Sequence, residues 1–210
     1  LKNLESANEI AENMNNKAPE IIFATTPSAL ILIDGDPVWK ETDNTDYQYV
    51  VNTPFFIVKQ ASTGKYFLKG GNHWYKTTDL KGEWVNTENP PRDLVKLAEK
   101  AMGDQKEEEA ESDTASNVVP KIYLRTTPAE LLQAAGEPQY APVESTSLLY
   151  MTNCPQVILM DINSQLYYIL ISGRWYSGKS LTANQWQFIA ADKLPADFAN
   201  IPKNSDIAAV

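Results

Sequence analysis

Residues 19–39 read "PEIIFATTPSALILIDGDPVW", and residues 120–140 read "PKIYLRTTPAELLQAAGEPQY". The two stretches align at a constant offset of 101 residues, without a gap as far as Leu80 and Leu181. "YVVNTPFFIV" (49–58) falls over "YMTNCPQVIL" (150–159), and "KYFLKGGNHWYKTTDL" (65–80) over "LYYILISGRWYSGKSL" (166–181). One inserted residue then brings Trp84 over Trp186, and "PPRDL" (90–94) matches "LPADF" (194–198). A match of this length is an internal repeat, so the chain contains two copies of one supersecondary unit.

Within each copy the signals are mainly those of strands. "PEIIFA" and "PKIYLR" are short β-rich runs opened by proline, which suits the first residue of a strand. "TTP" follows in both copies. Thr127 is placed to cap a turn, with Pro128 at its first position and Glu130 three residues on. The next segment reads two ways. "ALILIDG" has the look of a strand, whereas its counterpart "AELLQAAG" suits a short helix equally well, so 129–135 stays open between the two. Gly35 and Gly136 end it, and Gly-x-Pro starts a new extended piece. Five short runs separated by turn residues then follow in each copy, the cadence of an antiparallel meander or small barrel.

The expected fold class is therefore mainly β (α+β): two tandem small antiparallel units, meander-like or barrel-like, with short helices. Residues 1–18 carry Leu1, Leu4, Ala7, Ala11 and Met14 at helical spacing and predict an N-terminal helix, either the tail of an upstream unit or an amphipathic leader. Residues 19–102 form the first repeat, closed by a helix that Leu94, Leu97, Ala98 and Ala101 place on its C-terminal side. Residues 103–118 read as an acidic flexible linker, because a polar run of this kind cannot bury a core. Residues 119–210 form the second repeat.

Charge narrows the function. The chain carries −9 at neutral pH, and a nucleic-acid binder requires a basic stripe. Between Asp104 and Asp113 six acids stand against Lys106, a local −5 that leaves −4 on the rest. The acidity thus belongs to the linker and not to a binding face. No apolar run approaches the ~18 residues of a membrane helix, so no membrane insertion is expected. Leu1 in place of an initiator methionine reads as a piece of a longer protein.

Catalytic constellations are thin. His73 is the only histidine, and Arg174 replaces it in the second copy. No G-x-S-x-G turn accompanies it. One cysteine and one histidine cannot assemble a metal site. Cys154, replaced by Thr53 in the first copy, reads as a half-buried bland thiol. "GDP" and "GEP" lack any phosphate-cradling pattern. No catalytic residue, metal or cofactor is expected. Asp34, Asp36 and Glu137 sit beside Gly-Pro turns that explain them. Asp161 stands where the first copy has Ala61 and Ser62 nearby, and a carboxylate pair is the one route to hydrolase chemistry left open. Asn52 and Asn153, each two residues before proline, read as turn asparagines bonded to their own backbone.

The aromatics remain. Trp74, Tyr75 and Trp84 match Trp175, Tyr176 and Trp186. Flat rings stack on sugars, and tryptophan also suits protein interfaces and cores. Successive side chains of a strand point to opposite faces, so one ring of each Trp-Tyr pair is expected inside and the other outside. If Trp175 is buried, Tyr176 is the ring left to face a ligand.

"TTPAELLQAAGEPQYAPV", "LLYMTN", "YYILISGRWYSGKSL" and "LPADFANIP" together resemble a repeat of large bacterial proteins labelled carbohydrate-binding family V/XII. The resemblance covers almost all of the second copy and, more weakly, the first. It implies an exported or envelope-associated protein and a glycan or another envelope protein as partner. In the small chitin- and cellulose-binding modules behind that label, an exposed aromatic pair follows a Gly-x-x-Tyr strand. This chain has Lys179–Ser180 and Thr78–Asp79 at the corresponding places. The expected function is a non-catalytic binding or interaction module, carbohydrate-binding in its specific form. The alternative is a structural spacer or assembly scaffold that recognises protein, and a carboxylate hydrolase comes third.

Overall fold

In a computed structural model of the chain, residues 16–102, 118–203, 205 and 207 are described. The expected N-terminal helix (1–18) and acidic linker (103–118) lie outside these residues, apart from Asn16–Ala18 and Val118 at their ends.

The first repeat folds as β1 (Glu20–Ala24), β2 (Ser28–Leu32), β3 (Trp39–Glu41), β4 (Tyr47–Val50), β5 (Phe56–Gln60), β6 (Tyr66–Gly70), β7 (His73–Thr77) and β8 (Val85–Asn86), then helix α1 (Arg92–Ala101). The second gives β9 (Lys121–Arg125), β10 (Ala129–Gln133), β11 (Tyr140–Pro142), β12 (Leu148–Met151), β13 (Ile158–Asp161), β14 (Leu166–Ile171), β15 (Arg174–Gly178) and β16 (Gln187–Ile189). Strands β3 to β8 form a six-stranded antiparallel meander, and β11 to β16 form another in the same order. The chain is thus mainly β, as its repeat pattern predicts. Residues 129–133 are a strand, which settles the open reading of "AELLQ".

The first two strands of each repeat behave differently. β1 pairs in parallel with β10, from Glu20 opposite Ala129 to Ala24 opposite Gln133. β2 pairs in parallel with β9, from Ser28 opposite Lys121 to Leu32 opposite Arg125. Each repeat thus lends one strand to a pair completed by the other. The reason lies in the quoted sequence. Only Thr25, Thr26 and Pro27 separate β1 from β2, and Thr126, Thr127 and Pro128 separate β9 from β10. A parallel pair within one repeat would require a crossover of a dozen residues or more. Three residues cannot supply it, so each strand finds its parallel partner in the other copy.

The compact units consequently cut across the repeats. One, the continuous unit, runs from Pro27 to Pro128; the other, the split unit, joins the residues up to Thr26 to those from Ala129 on. The chain crosses between units at the two Thr-Thr-Pro connections.

In the continuous unit, Ile57, Leu68, Tyr75 and Trp84 on one sheet face pack with Ile31 and Ile33 of the first repeat and Ile122 and Leu124 of the second. The opposite face, with Tyr47, Val58, Phe67 and Trp74, is covered by Leu94 and Ala98 of α1. In the split unit, Ile158, Ile169, Tyr176 and Trp186 pack with Ile21, Leu132 and Ala134. Its other face, with Leu148, Leu159, Tyr168 and Trp175, meets Phe198, Ile201 and Ile207. The segment matching α1 opens as a short 3-10 turn, Ala196–Asn200, preceded by another at Ala191–Lys193. Pro202, which falls where α1 has Ala98, accounts for the difference, because a proline inside a helix removes a hydrogen bond and clashes with the preceding turn.

Candidate functional site

The six aromatics nominated as a ligand platform all lie in the cores. Trp74 and Tyr75 are 8% and 2% exposed, Trp175 and Tyr176 8% and 3%, and Trp84 and Trp186 5% and 6%. The expectation that one ring of each pair faces outward is corrected. Adjacent side chains do point to opposite faces, but both faces are covered, one by the parallel strands and the other by helical turns. A strand buried on both sides loses its inside-outside alternation. Phe198 stands edge-on to Trp175 with ring centroids 5.2 Å apart and to Tyr168 at 5.1 Å, occupying the space a ligand ring would require.

The polar ends of these rings clasp the paired strands. The Tyr75 hydroxyl donates to the Pro120 carbonyl at 3.1 Å, beside the start of β9. Trp84 donates its indole N–H to the Leu80 carbonyl at 3.2 Å. The residue inserted before Trp186 breaks that spacing, and the Trp186 Nε1 is buried without a hydrogen-bond partner. Its ring packs on Gly178, where an added Cβ would come within 3.0 Å of it. The same longer loop carries Asn184, whose Oδ1 accepts the Ile21 N–H at 3.0 Å. Tyr75 on β7 in one unit and Asn184 in this loop of the other therefore each hold the start of an exchanged strand, by different atoms.

Asn52 and Asn153 correct a second expectation. The Asn52 amide donates to the carbonyls of Asp34 (2.7 Å) and Asp36 (2.9 Å), and its Oδ1 accepts the Val38 N–H (2.9 Å). Asn153 repeats the arrangement with the Ala135 and Glu137 carbonyls and the Gln139 N–H. Each asparagine satisfies the backbone of a distant Gly-x-Pro turn and not its own. The left-handed φ of Gly35 (78°) and Gly136 (86°) shapes those turns. The matching positions of Asn and Gly in both copies were the available signal for this latch.

A polar cluster in the split unit joins Ser147, Ser164, Asp161 and Asp197. The Ser147 hydroxyl lies 2.9 Å from Asp161 Oδ1 and 2.6 Å from Asp197 Oδ2, and the Ser147 N–H also donates to Asp197. Asp161, 4% exposed, further accepts the Ser164 hydroxyl and the N–H groups of Asn163 and Ser164. Burial pushes its carboxyl up, but these donors outweigh burial and hold it below the ordinary value. Asp197 is likewise held low, chiefly by Ser147. In the continuous unit Asp46 and Gln60 hold the positions of Ser147 and Asp161, and the Gln60 amide donates to Asp46 at 3.0 Å. There Asp93, the match of Asp197, accepts the Tyr47 hydroxyl at 3.1 Å. Burial, and then Asp93, push that phenol well above its usual range. An aspartate after each meander thus ties the helical cover to the sheet.

Glycoside chemistry requires one carboxyl raised enough to donate a proton while the other stays ionised. Asp161 and Asp197 are both lowered, and Asp161 is already engaged by several donors. Replacing Asp161 by Ala is expected to cost about 1–3 kcal/mol at neutral pH, because buried donors lose their acceptor. A carboxyl with a lowered folded pKa contributes stability above its unfolded value of about 4 and loses it as pH falls through the folded one. Urea titrations across that range should therefore show wild type and variant converging towards acid.

The remaining nominees are ordinary. His73 is half-buried, edge-on to Tyr75 at 6.4 Å. Cys154 donates its thiol to Gln156 Oε1 at 3.3 Å, and burial pushes the thiol up, away from thiolate reactivity. Among the described residues no group of His, Cys, Asp and Glu could hold a metal ion, and no helix is long and apolar enough to cross a membrane.

No known protein family, curated protein or solved structure matches this chain.

Proposed function

We propose that the chain is a non-catalytic structural and interaction module of a larger bacterial protein, in which paired repeats interlock and present their outer surface to other proteins. The observation that carries this reading is the strand exchange: neither repeat supplies the whole core of a unit, so pairing of repeats is itself part of the fold. The site chemistry agrees. A ligand cleft requires exposed rings and converging polar groups, whereas here the six nominated rings fill cores and the clustered polar groups satisfy one another. One local feature favours protein as the partner. Leu32, Val38 and Val51 are 39%, 53% and 46% exposed, around the turn that Asn52 latches. Their matches in the second repeat are Gln133, Gln139 and Thr152. In this reading the module acts in the periplasm or at the cell surface, as its sequence resemblance to exported repeat proteins suggests.

Isothermal titration against a panel of chitin, cellulose and peptidoglycan oligosaccharides tests the reading against the carbohydrate-binding alternative. No binding heat is expected. Saturable heat with any of these glycans would overturn the proposal.

A further inference from the structure

We infer that the exchanged arms, residues 19–33 and 120–134, form a self-complementary interface whose partner can be a second copy of this chain. Two copies would join by reciprocal exchange, with β1 of one pairing with β10 of the other and β9 of the first with β2 of the second. This inference rests on the arm pairing alone and not on the proposed structural role.

The pairing is one interface made twice. Glu20 lies opposite Ala129, and Lys121, the repeat match of Glu20, lies opposite Ser28, the match of Ala129. The register is therefore identical with the repeats interchanged, the property of an isologous contact. The three-residue connections prevent an arm from closing on itself as a parallel pair. Each arm must take its partner from another repeat, and nothing in the hydrogen-bonded ladder depends on whether that repeat lies on the same polypeptide.

Exchange between copies reproduces the same interior. Ile122 and Leu124 would still pack beside Ile31 and Ile33, and Ile21 beside Leu132 and Ala134, now drawn from two chains. No new contact has to form and no side chain changes its neighbours. The clasps travel with the arms, because the Pro120 carbonyl still meets Tyr75 and the Ile21 N–H still meets Asn184. What favours the single chain is tethering. A covalent connection gives its partner an effective concentration on the order of mM. Copies folding together at comparable concentration compete with the tether, whereas copies already folded have their arms occupied.

The test uses the full chain with Cys154→Thr, the residue that the first repeat carries as Thr53. One version adds Glu20→Cys and the other Ala129→Cys, positions that face each other only across the β1–β10 pair. The two versions are unfolded together in guanidinium, refolded by dilution at increasing protein concentration, and oxidised. A disulfide-linked species of twice the chain's mass, containing one of each, is expected to rise with refolding concentration. Versions folded separately and then mixed should give none, and Lys179→Cys in place of Ala129→Cys should give none. Because the cysteine variants could fold poorly, the unaltered chain is refolded in parallel and examined by light scattering, where a dimer fraction should rise over the same range. Only monomer at every concentration would overturn the inference, as would equal cross-linking by the Lys179→Cys control.

Discussion

Cutting the chain once, at a protease site placed within residues 103–117, is expected to leave its two halves bound to each other. After the cut, the amino-terminal half still holds β1 and β2 and the carboxy-terminal half β9 and β10. These strands pair only across the halves. Separating the halves would expose Ile21 and Ile22 from one and Ile122 and Leu124 from the other, all buried in the intact protein. Each is worth about 1.5–3 kcal/mol of burial, and ten residue pairs of β-ladder would be lost besides. The opposing term is the freedom gained on dissociation, about 4–15 kcal/mol at standard concentration. The halves are expected to stay together at micromolar protein because Ile31, Ile33 and Leu132 would lose their cover as well. The cut protein should elute as one species containing both halves and yield two bands only under denaturing conditions. Its melting temperature should also become concentration-dependent, because folding is now linked to association. Two separately eluting folded halves would show that each repeat completes its own core, and the exchanged ladder would then be wrong.

The same strands mark where sequence and structure part. The offset between the repeats is a local property, and it carries the six-strand order of both sheets, the turn glycines and the position of α1. Pairing between β1 and β10 joins residues over a hundred positions apart, and no periodicity records it. The clue was negative: two β-rich runs with only Thr-Thr-Pro between them have no room for a parallel crossover, so a parallel partner had to come from elsewhere. The asparagine latches escaped for a related reason. Asn52 carries the turn chemistry of its own neighbourhood, yet its bonds reach the turn at Asp34 and Asp36, which only the folded sheet brings close. Asp197 could be matched to Asp93 by sequence, but its role at Ser147 could not, because the partner residue differs between the copies.

The tryptophan–tyrosine pairs supply the second large effect. Alternation along a strand states that Trp175 and Tyr176 face opposite ways, and they do; it does not state that one of those ways is water. The second cover comes from Leu94 and Ala98 in one unit and from Phe198, Ile201 and Ile207 in the other. Removing a ring buried in this manner leaves a cavity that its neighbours fill only in part. Trp74→Ala and Trp175→Ala are each expected to cost about 3–5 kcal/mol, a large share of the stability of a small domain. A ligand platform predicts the reverse pattern, folding intact and binding lost. The effects should also be confined by unit. Trp74→Ala loosens the seat of α1, so its far-ultraviolet signal and the protection of the α1 amides should fall first in the continuous unit. Trp175→Ala removes the ring against which Phe198 stands and should release the 3-10 turns at Ala191–Asn200 instead. Hydrogen exchange read separately over α1 and over those turns distinguishes the two, with Lys179→Ala as an exposed control expected to shift stability by less than about 0.5 kcal/mol. A folded Trp175→Ala variant with unchanged urea midpoint would mean that the ring is not part of the core. With loss of glycan binding as well, it would return the aromatic motif to the role its sequence first suggests.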